Sequence, residues 1–139
     1  MSELDAFLAT TLTRQVEADY ALLSGDPARR LALWATDGAV TMFGPWGTRD
    51  AGREDVRDAC RRIAARWTAR STFRFDLVAA DVSGDLAYTV GYEHCALSID
   101  GGPPARTTLR VTHVYRREPG GWTIVHRHGD IVPEEQAAA

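Results

Sequence analysis

The sequence predicts an α+β fold, with helices in the first half and a curved antiparallel sheet wrapped around them in the second. Three observations carry this. Apolar residues recur at helical spacing as far as Trp67. After Ser71 the chain turns to long, β-branched and aromatic runs. Gly, Pro and Asp clusters separate those runs at hairpin spacing. Helices followed by strands, rather than alternating with them, is the α+β order. The 139 residues, 45% of them hydrophobic, suffice for one core without disulfides or a structural metal.

The first helix is expected from about Glu3 to Ser24, with Leu4, Phe7, Leu8, Leu12, Val16, Tyr20 and Leu23 on its apolar face. Gly25 stops it. Asp26 caps a short second helix whose first position is Pro27, a residue with no N–H to lose there. Asp37-Gly38 turns the chain, Ala39 to Phe43 forms a short strand, and Gly44-Pro45-Trp46-Gly47 breaks it. A third helix follows Gly52 to about residue 68. Val56, Cys60, Ile63 and Trp67 form its buried stripe, and arginines solvate its other sides.

Four antiparallel strands follow: Phe73 to Val82, Leu86 to Ile99, Ala105 to Arg117 and Trp122 to Val132. A long curved sheet with helices on one face leaves a hollow, a usual place for a ligand. One domain is expected over residues 1–132, with residues 133–139 as a disordered tail.

Composition excludes some partners. A net charge of −3 provides no field for nucleic acid or an anionic membrane. No stretch approaches the roughly 20 apolar residues of a membrane span. The N-terminus lacks the basic and apolar regions of a secretory signal. Cys60 and Cys95 form no paired motif, so reduced thiols and a cytoplasmic location are expected.

Two stretches resemble a known family. One runs from Leu22-Leu23-Ser24-Gly25-Asp26-Pro27 to Leu33-Trp34-Ala35-Thr36-Asp37-Gly38-Ala39-Val40. The other is Thr112-His113-Val114-Tyr115-Arg116-Arg117 followed by Gly121-Trp122-Thr123-Ile124-Val125-His126-Arg127-His128-Gly129-Asp130. Together with the element order they resemble the SnoaL-like and ketosteroid-isomerase-like proteins of the nuclear transport factor 2 superfamily. The resemblance implies a cone with a central pocket, a homodimer through the outer face of the sheet, and a small, largely apolar organic ligand. It implies no cofactor or metal. Carried over by position, the isomerase's catalytic Tyr, base Asp and oxyanion-hole Asp fall on Ala18, Gly44 and His113, which argues against steroid isomerisation.

The resemblance also implies which strand faces look inward. Side chains alternate along a strand, so an inward His113 takes Val111 and Tyr115 with it. By the same expectation Trp122, Ile124, His126, His128 and Asp130 point inward from the last strand, and Ala87, Thr89, Gly91 and Glu93 from the second long one. His113 and Asp130 are then an acid/base pair for cofactor-free isomerisation, cyclisation or dehydration, the carboxylate orienting the imidazole. Glu93, His126, His128, Trp46, Tyr115 and Val111 are the expected ligand contacts. The competing reading is a non-catalytic binding or assembly module, since the kinase association domain of this superfamily shares a similar Trp…His-x-His ending.

Overall fold

The structure, a computed structural model, describes residues 1–68 and 71–133. Arg70 and residues 134–139 of the expected tail lie outside the described residues. The first helical stretch comprises α1 (Glu3–Phe7), a π-helical turn (Leu8–Leu12) and α2 (Thr13–Leu23). Ser2 opens it with a capping box: its hydroxyl accepts from the Asp5 N–H, and the Asp5 carboxylate accepts from the Ser2 N–H, each at 3.1 Å. The π turn has no counterpart in the sequence pattern. Its i→i+5 bonding takes more residues per turn and so rotates the inward face beyond it. The buried stripe therefore runs through Phe7, Thr11, Gln15, Ala18, Asp19 and Leu22, while Tyr20 of the expected apolar face is 53% exposed.

Gly25 ends α2 at φ 92°, a conformation that favours glycine. The Asp26 carboxylate accepts from the Ala28 N–H at 3.0 Å and starts α3 (Ala28–Leu33). The strands are β1 (Thr41–Phe43), β2 (Arg49–Ala51), β3 (Thr72–Ser83), β4 (Leu86–Leu97), β5 (Ala105–Glu118) and β6 (Gly121–Ile131); α4 (Arg53–Arg66) precedes β3. Strand β2 pairs with β1 around the Gly44–Thr48 turn and adds to the expected strands.

The six strands form one sheet in the order β2-β1-β6-β5-β4-β3. The four long strands make the expected antiparallel meander. Strand β1 departs from it by lying parallel to β6, with Thr41 opposite His126 and Phe43 opposite His128. The sheet curves over the helices in a cone. Phe7 from α1 packs edge-on to Tyr115 and Trp122 at ring-centroid distances of 5.2 and 5.4 Å, and Leu33, Trp34, Val40 and Ile124 close that end of the core. No helix among the described residues is long and apolar enough to cross a membrane.

A bulge in β6 decides which chemistry reaches the interior. Tyr115 pairs with Ile124 and Val114 with His126, leaving Val125 without an opposite residue. The extra residue reverses the alternation of the rest of the strand. Trp122 and Ile124 point inward before it, and Arg127 and Gly129 after it. His126, His128 and Asp130, expected inside, lie on the outer face.

Candidate functional site

A cavity of about 500 Å³ opens between the helices and the concave face of the sheet. Its walls are apolar, built from Leu22 and Leu23 of α2, Ile63 of α4, Phe73 of β3, Leu97 of β4 and Leu109 of β5. Trp46, in the β1–β2 turn, stands at the mouth and is 57% exposed. Arg62 and Arg66, on the exposed side of α4, reach the rim. Such a pocket, apolar with a few convergent polar groups, is the usual form of a small-molecule site.

The floor is charged. Asp19 and Arg30, from α2 and α3, form one buried ion pair. Glu93 and Arg127, from β4 and β6, form another, with Nη1 and Nη2 of the guanidinium donating to Oε2 and Oε1, each at 2.8 Å. All four are at least nine-tenths buried. Buried charges persist only when paired, and here each arginine faces a carboxylate. Burial pushes the Asp19 carboxyl up; Arg30 opposes the shift and the nearby Glu93 carboxylate adds to it. Burial acts on Glu93 in the same sense, but the Arg127 charge and its two hydrogen bonds, with Arg30 behind them, hold that carboxyl below its ordinary range.

His113 lies beneath this floor, fully buried on β5. Arg127 Nη1 donates to its Nε2 at 3.1 Å, which places the imidazole proton on Nδ1. Burial, and then the positive charges of Arg127 and Arg30, drive its pKa well below the ordinary histidine value. It is a neutral acceptor for Arg127. Asp130 is not its partner: that carboxylate is on the outer face, in a bidentate pair with Arg110 at 2.8 Å. The hydrogen-bonded His113–Asp130 unit does not exist, because the Val125 bulge puts its two members on opposite sides of the sheet.

The other expected contacts divide in the same way. Glu93 and Trp46 line the cavity. Val111 and Tyr115 point inward but are buried in the core, Tyr115 against Phe7. On the outer face His126 Nδ1 hydrogen-bonds the Thr41 hydroxyl at 2.7 Å. The Phe43 ring sits edge-on to His126 and His128 on that face, with both centroids 5.5 Å away. No group of three or more metal-ligating side chains occurs among the described residues.

Three floor residues, Asp19, Arg30 and Arg127, are not among the expected site residues. Asp19 had a signal. Thr11, Gln15 and Asp19 follow one another at i, i+4 on a helix that must bury a face, and such a polar line is worth suspecting. Arg127 had none, because its inward direction depends on the bulge.

A sequence profile of the SnoaL-like domain matches residues 15–133. No curated protein matches the chain. Solved structures share the fold. A candidate dehydratase of the nuclear transport factor 2-like family from Streptomyces avermitilis is 24% identical, with a TM-score of 0.78 over 93% of this chain and 98% of that one. A proposed calcium/calmodulin-dependent protein kinase II association domain from Xanthomonas campestris is 21% identical, with a TM-score of 0.72 over 91% and 89%. The hub of the same kinase from S. rosetta is 23% identical, with a TM-score of 0.68 over 88% and 94%.

Proposed function

The chain belongs to the SnoaL-like domain family, and on that premise we propose that it binds a small, largely apolar organic molecule in the cone's cavity. The observation that carries the reading is the cavity itself, about 500 Å³ with apolar walls and a floor of two crossed ion pairs. An apolar body is stabilised by roughly 25 cal/mol for each Å² it buries against those walls. The polar end is oriented by the floor. A neutral solvatochromic dye such as Nile red is expected to bind saturably at one per chain. Leu109→Trp, which fills the cavity, is expected to abolish that binding while leaving the far-ultraviolet circular dichroism unchanged. Equal binding by both proteins would place the dye elsewhere and remove the reading.

Two further points belong to the same proposal. A second copy docks on the outer face of the sheet, where Leu86, Tyr88 and Tyr92 of β4 are exposed. Contiguous apolar and aromatic surface of this kind marks an interface. The two cysteines are buried and free, and fit a reducing, cytoplasmic compartment.

One observation favours an enzyme over a binding module. The Asp19 carboxyl, raised by burial, keeps an oxygen, Oδ2, that has no hydrogen-bond partner among the described residues, in a residue lining the floor. Two nearby carboxyls whose environments push them apart form the usual setting of acid/base chemistry. In that reading Asp19 is the proton donor, replacing His113 and Asp130. Exchange of ligand protons in deuterated water, lost in Asp19→Asn, would select the enzyme. Tight binding without exchange would select the module.

A further inference from the structure

We infer that the cavity takes an organic monocarboxylate, its apolar body against the walls and its head group on Arg30 at the floor. The inference rests on the reading that the cavity binds a small molecule, and specifies the class.

Charge is the first argument. Four arginines line the cavity, Arg30 and Arg127 at the floor and Arg62 and Arg66 at the rim. Against them stand three carboxyls: Asp19, Glu93 and Asp50. The two rim arginines have partners of their own, Asp50 for Arg62 at 3.8 Å and Asp100, outside the lining, for Arg66 at 3.3 Å, while at the floor Arg30 and Arg127 face Asp19 and Glu93. Of these carboxyls Asp19 is the one that burial drives toward the neutral form, and in that form the floor keeps one positive charge, which a low-dielectric hollow focuses rather than dissipates. A cationic ligand would stand against Arg30. A phosphate monoester, at about −1.5 to −2, overshoots a single charge.

Unused hydrogen-bonding capacity is the second argument. Arg30 spends Nη2 on Asp19, and its Nε–H, buried, has no partner among the described residues. Arginine has donors only, so only an acceptor can satisfy that group. An unmet buried donor costs more than an unmet surface one, and an acceptor-rich head group at the floor relieves that of Arg30. Arg127 is a weaker seat, since both of its terminal nitrogens already hold Glu93. The rise in the Asp19 carboxyl acts in the same direction: once protonated, it becomes a further donor to the head group.

The test is calorimetric titration with a homologous series of ω-phenylalkanoates and the matching alcohols and amines. At least one acid should bind about tenfold or more tighter than its own alcohol, and its amine should bind more weakly still. With ¹⁵N-labelled protein, that acid should shift the Arg30 Nε–H resonance, assigned by its loss in Arg30→Lys, and the alcohol should not. Arg66→Gln, at an exposed rim position, should weaken the acid by about two- to threefold, flatten its salt dependence and leave the alcohol unchanged. An alcohol or amine that equals its acid overturns the inference and leaves the cavity reading standing. Binding by no member of any series overturns both.

Discussion

Glu93 and Arg127 meet on the diagonal across β5, two strands apart, with the guanidinium fork on both carboxylate oxygens at 2.8 Å. A bidentate pair of this kind is among the stronger charge-assisted contacts. Its worth to stability differs from the cost of breaking it. Removing one member strands the other in a low dielectric. Arg127→Met is therefore expected to destabilise the fold by about 3–5 kcal/mol. Adding Glu93→Gln should recover at least half of that. Urea denaturation of the single and double variants measures both, and a double variant no better than the single would show that the loss comes from packing.

The neutrality of His113 ties stability to pH. The folded imidazole resists protonation, while the unfolded one takes up a proton below about pH 6.5. Its folded pKa is depressed, so its contribution is complete above that pH and is lost as the pH falls toward the folded value. One proton corresponds to at most about 1.4 kcal/mol per pH unit. His126 is also lowered, first by burial and then by His128, and adds to the slope. His113→Gln keeps an acceptor for Arg127 and should flatten the dependence between pH 6.5 and 5. Denaturation curves at a series of pH values report this, and an unchanged slope would show that His113 is not the responsible group.

Asp130 is a surface carboxylate paired with Arg110, and such pairs are worth about 0–1 kcal/mol. Asp130→Ala should leave ligand binding intact and cost no more than that. Glu93→Ala should lower both stability and binding. If calorimetry gives Asp130→Ala the larger binding defect, the assignment of inner and outer faces is wrong.

Trp46 lines the mouth but contributes little to the core, being more than half exposed. Trp46→Ala is expected to leave the melting temperature within a degree or two and to weaken ligand binding by about tenfold, the effect of losing part of an aromatic contact. Loss of stability without loss of binding would reverse the role given to it.

3-Oxo-Δ5-steroids should not be turned over at enzymatic rates. The positions that correspond to that chemistry are Ala18, which is buried, Gly44, at the cavity wall, and His113, a neutral acceptor beneath the floor. The loss of one oxyanion donor alone costs about 10²–10³ in rate. A spectrophotometric assay of double-bond migration checks this directly.

Much of this fold can be read from the sequence, because its signals are local. The hairpin turns at Ser83-Gly84-Asp85 and Glu118-Pro119-Gly120-Gly121 set the meander, and the stripe from Val56 to Trp67 sets α4. The inward faces of β4 and β5 follow from alternation once the resemblance has turned His113 inward. The floor is harder to read. Val125 looks like any other strand valine, and nothing in its neighbours marks it as the residue that drops out of the pairing. Strand β2, three residues long and lacking apolar character, gives no pattern of its own. The π turn is similarly silent, since Leu8 to Leu12 reads as ordinary helix.

The unpaired valine also bears on how a site descends through a family. A one-residue insertion or deletion in a strand is ordinarily counted a mild change. In β6 it would act as a parity switch. Remove it, and the distal half of the strand presents imidazoles and a carboxylate to the ligand in place of a guanidinium, with no substitution at all. Relatives that spell the same His-x-His letters need not share an interior, and inheritance of chemistry on this cone follows the parity of the strand before it follows the motif.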